Sequence, residues 1–399
     1  MKNLLLKHSS LLVIATGSFS FFLLNIVLRD FLKNFDYSLY SIFVTYLSLL
    51  ISFGLLGTDY TFIRISDYRE NLFFTNINFL KVIFSIIFIF SFIYTFIIWK
   101  IYFYNYNIFY ILIITFITLI NLLTYNILRL KSKFFLSQLI NNFWRFSLLI
   151  IVLFFYLFKV EFSFRLILEI LFFIFVITLL INFSYLKKLK LSNLEPHVNL
   201  ISLSLQHLIA NFILSAMNFF DRFIVERNFG MLELANYFFL SNIFLYPFFI
   251  FQNYIGFKEV VYFKKEITVN ILKAKILKIS LFSILFSVIL FLFCFVIDYL
   301  GLYKLNTANN INIIILMLIL GIIRNIYSIL SGAGSALANP SFVKKLNLNS
   351  TLLLFSLLIP YYFNFSVELV LLSFISIWLI RVFIMFFLVK KEILLKTLT

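Results

Sequence analysis

The segment SLQHLIANFILSAMNFFDR, which runs from Ser204 to Arg222, is an apolar stretch with one polar stripe. Six of its polar residues fall at i, i+3, i+7, i+11, i+14 and i+18, and the helical repeat of about 3.6 residues places them on one face. These residues are Ser204, His207, Asn211, Ser215, Asn218 and Arg222. A membrane-spanning helix with such a stripe is expected to face water, a ligand or a polar partner. Hydrogen bonding between helices is the alternative interpretation for the Ser and Asn residues.

The composition is that of a membrane protein. The chain is 63% hydrophobic and 12% charged, with a mean hydropathy of +1.07, whereas soluble domains carry about 25% charged residues. Its only cysteine, Cys294, lies in an apolar run, which excludes an internal disulfide and a multi-cysteine metal site. The composition therefore predicts an all-α polytopic membrane protein.

Apolar runs, cut at charges and at asparagine clusters, predict about twelve transmembrane helices. We expect them near residues 10–30, 39–63, 79–99, 108–128, 138–158, 163–186, 201–224, 234–257, 276–300, 311–331, 348–363 and 367–389. The loop from Lys187 to Leu200 has the composition of a linker and divides the helices into two sets of six. The sequence therefore predicts an N-terminal six-helix bundle over residues 1–190 and a C-terminal six-helix bundle over residues 200–399.

The first helices of the two predicted bundles carry the same polar pattern. In each, a polar residue is followed seven residues later by Asn and eleven residues later by Arg, and an aspartate adjoins the arginine. The two sets are Ser18, Asn25, Arg29 and Asp30, and Asn211, Asn218, Asp221 and Arg222. This repeat predicts two bundles related by a pseudo-two-fold axis. Transporters built in this way bind their substrate between the halves, near the midplane of the membrane.

Lysine and arginine are distributed unequally between the two predicted membrane faces. When each is assigned to the nearer helix end, 24 fall on the face of the N-terminus, 8 on the opposite face and 1 within a helix. The positive-inside rule then predicts that both termini are cytoplasmic. The net charge of +17 reflects this asymmetry, so it indicates contact with anionic membrane lipids and no nucleic-acid partner. Within it, the segment Lys258–Lys278 has an amphipathic spacing that predicts a helix on the inner leaflet.

The sequence contains no motif for catalysis, for a metal or for a cofactor. The segment Ser331–Ser335, SGAGS, follows no strand, so a flexible break in a helix is favoured over a phosphate-binding loop. His8, His197 and His207 lack the spacing of metal ligands. We therefore expect no catalytic residue, no metal and no cofactor.

Arginines inside the predicted helices are the strongest signal for a binding site. Arg145, Arg324 and Arg381 lie well within the fifth, tenth and twelfth predicted helices, where a cation costs about 2.5–3.5 kcal/mol. Few carboxylates are available at that depth. The excess of cations favours a cavity that binds a polyanion such as a diphosphate, which arginine grips through two hydrogen bonds. Snorkelling of these side chains to the nearer interface is the alternative.

These patterns define two groups of candidate site residues. The predicted substrate-binding residues are Arg29, Arg145, Asn211, Asn218, Arg222 and Arg324. The predicted coupling or gating residues are Asp59, Asp221 and Pro247. Pro247 falls near the middle of the eighth predicted helix, where a proline breaks helical hydrogen bonding, and it is expected to act as a hinge.

Several short motifs resemble those of Wzx-type polysaccharide flippases. In the second half of the chain they are Asp221-Arg222-Phe223-Ile224-Val225, Phe229-Gly230, Leu234-Ala235-Asn236-Tyr237 and Pro247. In the first half they are Leu28-Arg29, Tyr37-Ser38-Leu39-Tyr40, Gly54-Leu55-Leu56-Gly57 and Arg64. The plan of twelve helices covers the whole chain, whereas the motifs cover only about residues 17–64 and 206–247.

The resemblance implies a bacterial inner-membrane transporter of the multidrug/oligosaccharidyl-lipid/polysaccharide exporter superfamily. Such proteins move an undecaprenyl-diphosphate-linked oligosaccharide, an O-antigen or capsule repeat unit, from the cytoplasmic to the periplasmic leaflet by alternating access. A polysaccharide polymerase and a chain-length regulator would be further partners. An O-antigen polymerase is the alternative from the enzyme class, although such enzymes carry a long periplasmic loop and each outside loop predicted here is short. A multidrug antiporter of the same superfamily, which would need carboxylates in its cavity, is another alternative.

Overall fold

The computed structural model describes residues 2–69, 72–187, 189–194, 199–337, 340–363 and 365–398. Its helices are α1 (Lys2–Phe31), α2 (Asn34–Phe53), α3 (Thr58–Ile65), α4 (Ile77–Tyr102), α5 (Ile108–Leu130), α6 (Phe134–Leu157), α7 (Phe164–Leu186), α8 (Leu200–Phe244), α9 (Tyr246–Lys265), α10 (Val269–Tyr299), α11 (Ile311–Leu337), α12 (Pro340–Ser356), α13 (Leu358–Tyr362) and α14 (Val367–Leu398). Three short strands are β1 (Asp67–Arg69), β2 (Leu72–Thr75) and β3 (Leu191–Asn193). Ten helical stretches among these residues are long and apolar enough to cross a membrane. The predicted fold class, an all-α polytopic membrane protein, is confirmed.

Polar residues at the ends of the apolar runs begin several of these helices. The side chains of Asn76, Asn107, Ser163 and Thr268 accept a backbone N–H in the first turn of α4, α5, α7 and α10. Each bond satisfies a donor that has no partner within the helix. The asparagines that separate apolar runs in the sequence thus also fix where helices start.

The chain divides into two compact units, and the first covers Met1–Ser215. Helix α5 lies at its centre and packs against α2, α3, α4, α6 and α7, while α1 packs along α6. Uncharged polar side chains join these helices: Tyr46 hydrogen-bonds with Thr115, and Nδ2 of Asn182 donates to Oδ1 of Asn121. Such bonds hold membrane helices together without burying charge.

The second unit covers Ala216–Thr399, and its central helix is α11. This helix packs against α9, α10 and α14, and α12 packs against α14. The approach of α11 to α9 depends on Gly321, because a Cβ atom there would lie 2.6 Å from the ring of Phe248. On the other side of α11, Nδ2 of Asn325 donates to Oγ of Ser283 on α10 at 3.1 Å.

The two units share an order of helix packing. In each, a central helix, α5 or α11, packs against the long helix before it and against the last long helix of the unit, α7 or α14. The same length of chain separates the starts of each pair, which are Ile108 and Phe164, and Ile311 and Val367. An internal repeat predicts this correspondence. The division between the units falls inside α8, and the bundle bounds at residues 190 and 200 stay a prediction.

Several predicted spans are interrupted. A turn over residues 54–57 separates α2 from α3, and α8 departs from helical geometry at Gly230, where φ is 80° and ψ is −177°. The predicted eighth helix is interrupted at Leu245, and Pro247 lies in the first turn of α9. At that position the missing N–H of proline costs no helical hydrogen bond. The predicted eleventh helix is likewise divided, into α12 and α13.

Two local predictions are wrong. The segment Lys258–Lys278 does not form a separate surface helix, because the end of α9 and the start of α10 occupy it. The segment Ser331–Ser335 is not a flexible break, because it is helical within α11. Its glycines serve packing instead: a Cβ atom at Gly332 would lie 3.2 Å from Cβ of Glu259 on α9. Small residues let membrane helices approach closely in this way.

A small sheet, which the sequence did not predict, joins two loops of the first unit. β1 pairs antiparallel with β2, and β2 pairs parallel with β3, so that Phe74 lies opposite Asp67 on one side and Ser192 on the other. In β1, the Tyr68 N–H and the Arg69 guanidinium donate to the Asp67 carboxylate and lower its pKa. Strands this short carry too few alternating positions to be recognised in the sequence.

Candidate functional site

The first turns of the polar stripe on α8 bind to α3 within the first unit. Oγ of Ser204 donates to Oγ1 of Thr61 at 3.0 Å, and the His207 ring stacks on Tyr60 with 5.5 Å between the centroids. Gly57, just before α3, lies against the backbone of α8, since a Cβ atom at this residue would be 2.3 Å from the carbonyl oxygen of Ser204. This part of the stripe therefore serves helix packing.

The next asparagines of the stripe have buried atoms without partners. Nδ2 of Asn211 and Oδ1 of Asn218 form no hydrogen bond with any residue that the structure describes. A buried amide atom left unpaired costs about 1–3 kcal/mol. Both predicted substrate-binding residues thus retain hydrogen-bonding capacity that a ligand can use.

The two predicted substrate-binding arginines of the first unit have different neighbours. The guanidinium of Arg29 donates to Oδ1 of Asn34 at the end of α1. Nη1 of Arg145 donates to Oδ1 of Asn142 at 3.0 Å, and its guanidinium carbon lies 5.2 Å from the ring centroid of Phe21. Phe21 and Arg29 are roughly 12 Å apart along α1 at 1.5 Å per residue. Arg145 therefore contacts α1 about two helical turns before Arg29.

Asp59, a predicted coupling residue, lies in the first turn of α3 and is 8% exposed. Its carboxylate accepts the backbone N–H of Tyr60, and Arg129 of α5 attracts it. Carboxylates are stabilised at helix N-termini by the unpaired N–H groups and the helix dipole. The helix start and Arg129 thus offset only part of the cost of burying the Asp59 carboxylate.

Asp221, the second predicted coupling carboxylate, is 2% exposed in the second unit. Oη of Tyr237 donates to its Oδ2 at 2.6 Å, and the backbone N–H of Arg222 donates to its Oδ1 at 3.0 Å. The guanidinium carbon of Arg222 lies 4.8 Å from the ring centroid of Phe238. Because Gly230 lies between Asp221 and Tyr237, their bond ties together the two sections of the kinked helix.

Two arginines are buried around Met217 in the second unit. Arg324 of α11 and Arg381 of α14 are 6% and 3% exposed. Nη2 of Arg324 donates to the carbonyl oxygen of Met217 at 3.4 Å, and Nη2 of Arg381 donates to Oη of Tyr327 at 2.9 Å. The indole N–H of Trp378 donates to the same Met217 oxygen at 3.1 Å. These five residues are termed the arginine cluster.

The arginine cluster holds more positive charge than its neighbours neutralise. Neither Arg324 nor Arg381 forms an ion pair with a carboxylate among the described residues. Nε of both is buried and has no acceptor in that part of the chain. Asp221 attracts Arg324, whereas Arg222 repels it. Two buried guanidinium groups beside one buried carboxylate favour the binding of an anion.

Sequence reasoning missed most of the arginine cluster. The sequence places Arg381 within a predicted helix, but Arg381, Tyr327 and Trp378 are not among the predicted site residues. The spacing of these residues in the sequence could have indicated the cluster. Arg324 lies three residues before Tyr327, and Trp378 lies three residues before Arg381, so the two members of each pair share a helix face. Neither Arg324 nor Arg381 extends its side chain to the membrane interface by snorkelling, because both guanidinium groups are hydrogen-bonded within the second unit.

The described residues contain no group of three His, Cys, Asp or Glu side chains that could hold a metal ion. Cys294 is a free and buried thiol. His197, one of the histidines considered in the sequence, lies outside the described residues. The expected absence of a metal and of a cofactor stays a prediction.

No protein-family model matches the chain, and no curated protein matches it. Among solved structures, the chain is similar to a MATE protein, in a crystal structure of a point mutant. The two share 13% sequence identity with a TM-score of 0.52, over 98% of this chain and 95% of that chain. At this identity the likeness concerns the fold. The protein is a multi-pass α-helical membrane protein whose fold is similar to that of a MATE protein.

Proposed function

We propose that the protein is a Wzx-type flippase of the bacterial inner membrane, which moves an undecaprenyl-diphosphate-linked O-antigen or capsule unit to the periplasmic leaflet. The arginine cluster carries this proposal, because its two buried guanidinium groups have no ion-pair partner among the described residues. A diphosphate supplies the missing negative charge, and arginine binds it through paired hydrogen bonds. Fold similarity to a MATE protein supports transport, and the motifs around Arg29 and Arg222 support the flippase subfamily.

In this proposal the cations bind the diphosphate, the amides bind the sugar, and the polyprenyl tail stays in lipid. Substrate contacts come from Arg29, Arg145, Asn211, Asn218, Arg222 and Arg324, joined by Arg381. Alternating exposure to the two membrane faces would be controlled by Asp59, by Asp221 with its bond to Tyr237, and by the helix break before Pro247. The polymerase and the chain-length regulator of the pathway would act on the translocated product.

The test uses a strain that lacks the gene and asks which leaflet accumulates the lipid-linked oligosaccharide. Lectin access is compared between right-side-out and inside-out vesicles. We expect single repeat units trapped in the inner leaflet and rescued by the wild-type gene. Single units that reach the outer leaflet without being joined would instead indicate the polymerase.

Complementation with arginine variants tests the binding role. Arg324→Gln and Arg381→Gln are each expected to lower transport about tenfold or more, which corresponds to roughly 1.4 kcal/mol of lost binding. The matched control is Arg165→Gln, since this arginine is 79% exposed in its pair with Glu169 and such surface pairs contribute little. Normal transport by the double variant at Arg324 and Arg381 would reject the anion-binding role.

Drug export is the second candidate function. The buried carboxylates Asp59 and Asp221 favour it, because a carboxylate can hold a cationic drug or the cation exchanged for it. The fold similarity to a MATE protein is equally compatible with this activity. A deletion strain that accumulates no oligosaccharide in either leaflet but becomes sensitive to cationic dyes would favour drug export.

A further inference from the structure

A small cavity lies inside the first unit, among α2, α5, α6 and α7. Its polar lining comes from Thr118 and Asn121 of α5 and from Asn141 and Trp144 of α6, and its other walls are apolar. Thr118, Asn121 and Trp144 are more than nine-tenths buried, whereas Asn141 is half-buried. The free space is about 10 Å³, which is room for one water-sized group. The size and the lining of the cavity therefore suit a single polar oxygen atom.

Three polar groups of this lining form no hydrogen bond with any residue that the structure describes. They are the indole N–H of Trp144, Nδ2 of Asn121 and the side-chain amide of Asn141. Oδ1 of Asn121 is occupied, because it accepts from Nδ2 of Asn182. The Thr118 hydroxyl donates to the backbone of its own helix, so its oxygen has only acceptor capacity left. An unpaired polar group costs about 1–3 kcal/mol when it is buried, so this lining favours a polar occupant.

The lining fits a hydroxyl group better than it fits an ion. The N–H donors of Asn121 and Trp144 would repel a cation, and none of the described lining residues is charged. A hydroxyl can accept from those donors and donate to Oδ1 of Asn141. Phe175 and Trp144 add aromatic walls, and the face of an aromatic ring is apolar and slightly negative. A sugar ring, which combines hydroxyl groups with an apolar C–H face, matches both kinds of wall.

The cavity adjoins one of the arginines that are proposed to bind the diphosphate. Arg145 follows Trp144 on α6, and its guanidinium carbon lies 5.4 Å from the ring centroid of Trp144. Nε of Arg145 is buried and has no acceptor in the described part of the chain. A diphosphate held by this guanidinium would bring the sugar attached to it next to the indole. The first sugar of the oligosaccharide is therefore the one that can reach the cavity.

We propose that this cavity, termed the hydroxyl pocket, binds one hydroxyl group of the sugar that is attached to the diphosphate. The hydroxyl oxygen accepts from the Trp144 indole and from Nδ2 of Asn121, and the hydroxyl donates to Oδ1 of Asn141. A site built in this way discriminates strongly against a sugar that lacks the hydroxyl, because the polar groups of the site then stay unpaired. The pocket thus selects the first sugar. This inference deepens the proposed flippase function and rests on it.

The affinity of the purified protein for two lipids tests the pocket without transport. One is the lipid-linked oligosaccharide extracted from the strain that lacks the gene, and the other is undecaprenyl diphosphate without sugar. The wild type should bind the first about tenfold more tightly, or better, which corresponds to roughly 1.4 kcal/mol. Asn141→Leu should remove this preference and leave the affinity for undecaprenyl diphosphate unchanged.

The matched control is Asn105→Leu, because Asn105 is exposed in the loop before α5, and this variant should keep the preference. Trp144→Phe keeps the proposal testable if Asn141→Leu does not fold, since it removes the N–H donor and retains an aromatic ring. A preference that persists in Asn141→Leu or in Trp144→Phe would overturn the proposal. So would an equal loss of affinity for both lipids, which would indicate a general defect of the fold.

Fluorine NMR of protein labelled with 5-fluorotryptophan gives a readout at the pocket itself. The oligosaccharide lipid should displace the Trp144 resonance further than undecaprenyl diphosphate does. Trp99 is the internal control, because its indole donates to the Tyr106 carbonyl at 2.9 Å, and its resonance should stay in place. Equal displacement of the Trp144 resonance by both lipids would show that the pocket holds a water molecule only, and would overturn the proposal.

Failure of the hydroxyl pocket and failure of the flippase function give different results. If the wild type binds both lipids equally well, the pocket does not recognise a sugar, and the flippase function stands. If the wild type binds neither lipid, the flippase function is rejected, and the proposed ligand of the pocket is rejected with it.

Discussion

Arg324 and Arg381 are held in the second unit by neutral groups. Their acceptors are the Met217 carbonyl and Sδ and the Tyr327 hydroxyl, and the guanidinium carbons lie 5.4 Å and 5.0 Å from the ring centroids of Trp378 and Tyr327. A cation–π contact contributes about 0.5–2 kcal/mol, against an insertion cost of about 2.5–3.5 kcal/mol for each arginine. These contacts offset part of the cost, and an anion would offset more. The diphosphate of the proposed substrate would supply this further compensation.

The bond between Tyr237 and Asp221 gives a prediction at the residue scale. Tyr237→Phe removes the hydroxyl that donates to the buried carboxylate at 2.6 Å, so we expect a loss of about 1–3 kcal/mol in the free energy of unfolding. Thermal unfolding of the purified protein in detergent measures the change. In the double variant with Asp221→Asn, the loss should be smaller than the sum of the single losses, since both remove one interaction. Tyr104→Phe, at a side chain 65% exposed, is the control, and an equal loss there would contradict the assignment.

The turn between α2 and α3 shows how one glycine positions two helices. Gly57 has φ +74°, which favours glycine, and lies against the backbone of α8 at Ser204 and Leu208. Next to it, Thr61 accepts the Ser204 hydroxyl and Tyr60 stacks on a histidine ring of α8. The start of α8 is therefore fixed to α3 by backbone contact as well as by side chains.

This arrangement gives a prediction at the element scale. In Gly57→Ala the new Cβ would lie 2.3 Å from the oxygen of Ser204 and 2.5 Å from the nitrogen of Leu208, so a helix backbone must move. We expect a large drop in Tm and in the yield of monodisperse protein. Gly301→Ala is the control, because Gly301 has φ +65° but no atom within 4 Å of the added Cβ, leaving only the conformational cost of about 1–2 kcal/mol. Equal drops in the two variants would show that the contact with α8 contributes nothing.

At the scale of the whole molecule, the sequence predicts the membrane-spanning helices, but it does not predict the contacts that depend on which helices are neighbours. The spans are readable because a bilayer requires about 20 apolar residues per helix, and the depth of Arg324 follows from its place in such a run. The hydrogen bond from Trp378 to Met217 joins helices far apart in the chain, and no periodicity encodes it. The burial of Glu259 was missed because the lysines around it suggested a surface helix, whereas that burial depends on Gly332 of another helix.

The distribution of lysines gives the last prediction, which concerns the orientation of the chain in the membrane. Helix α10 has 31 residues and is about 46 Å long at 1.5 Å per residue, which exceeds the hydrocarbon core of about 30 Å. Its two ends should therefore emerge on opposite sides, with the lysine-rich start in the cytoplasm. Two exposed residues, Lys265 and Lys304, flank the helix and can each be replaced by cysteine after Cys294→Ala removes the native buried thiol.

A membrane-impermeant maleimide should then label Lys265→Cys in inside-out vesicles and Lys304→Cys in right-side-out vesicles or intact spheroplasts. The parent with Cys294→Ala should remain unlabelled in both. The reverse pattern would place the lysine-rich end outside, and the proposed direction of transport would be inverted. Labelling of both positions from one side would mean that α10 does not cross the membrane, because a helix of this length that crossed it would separate its ends.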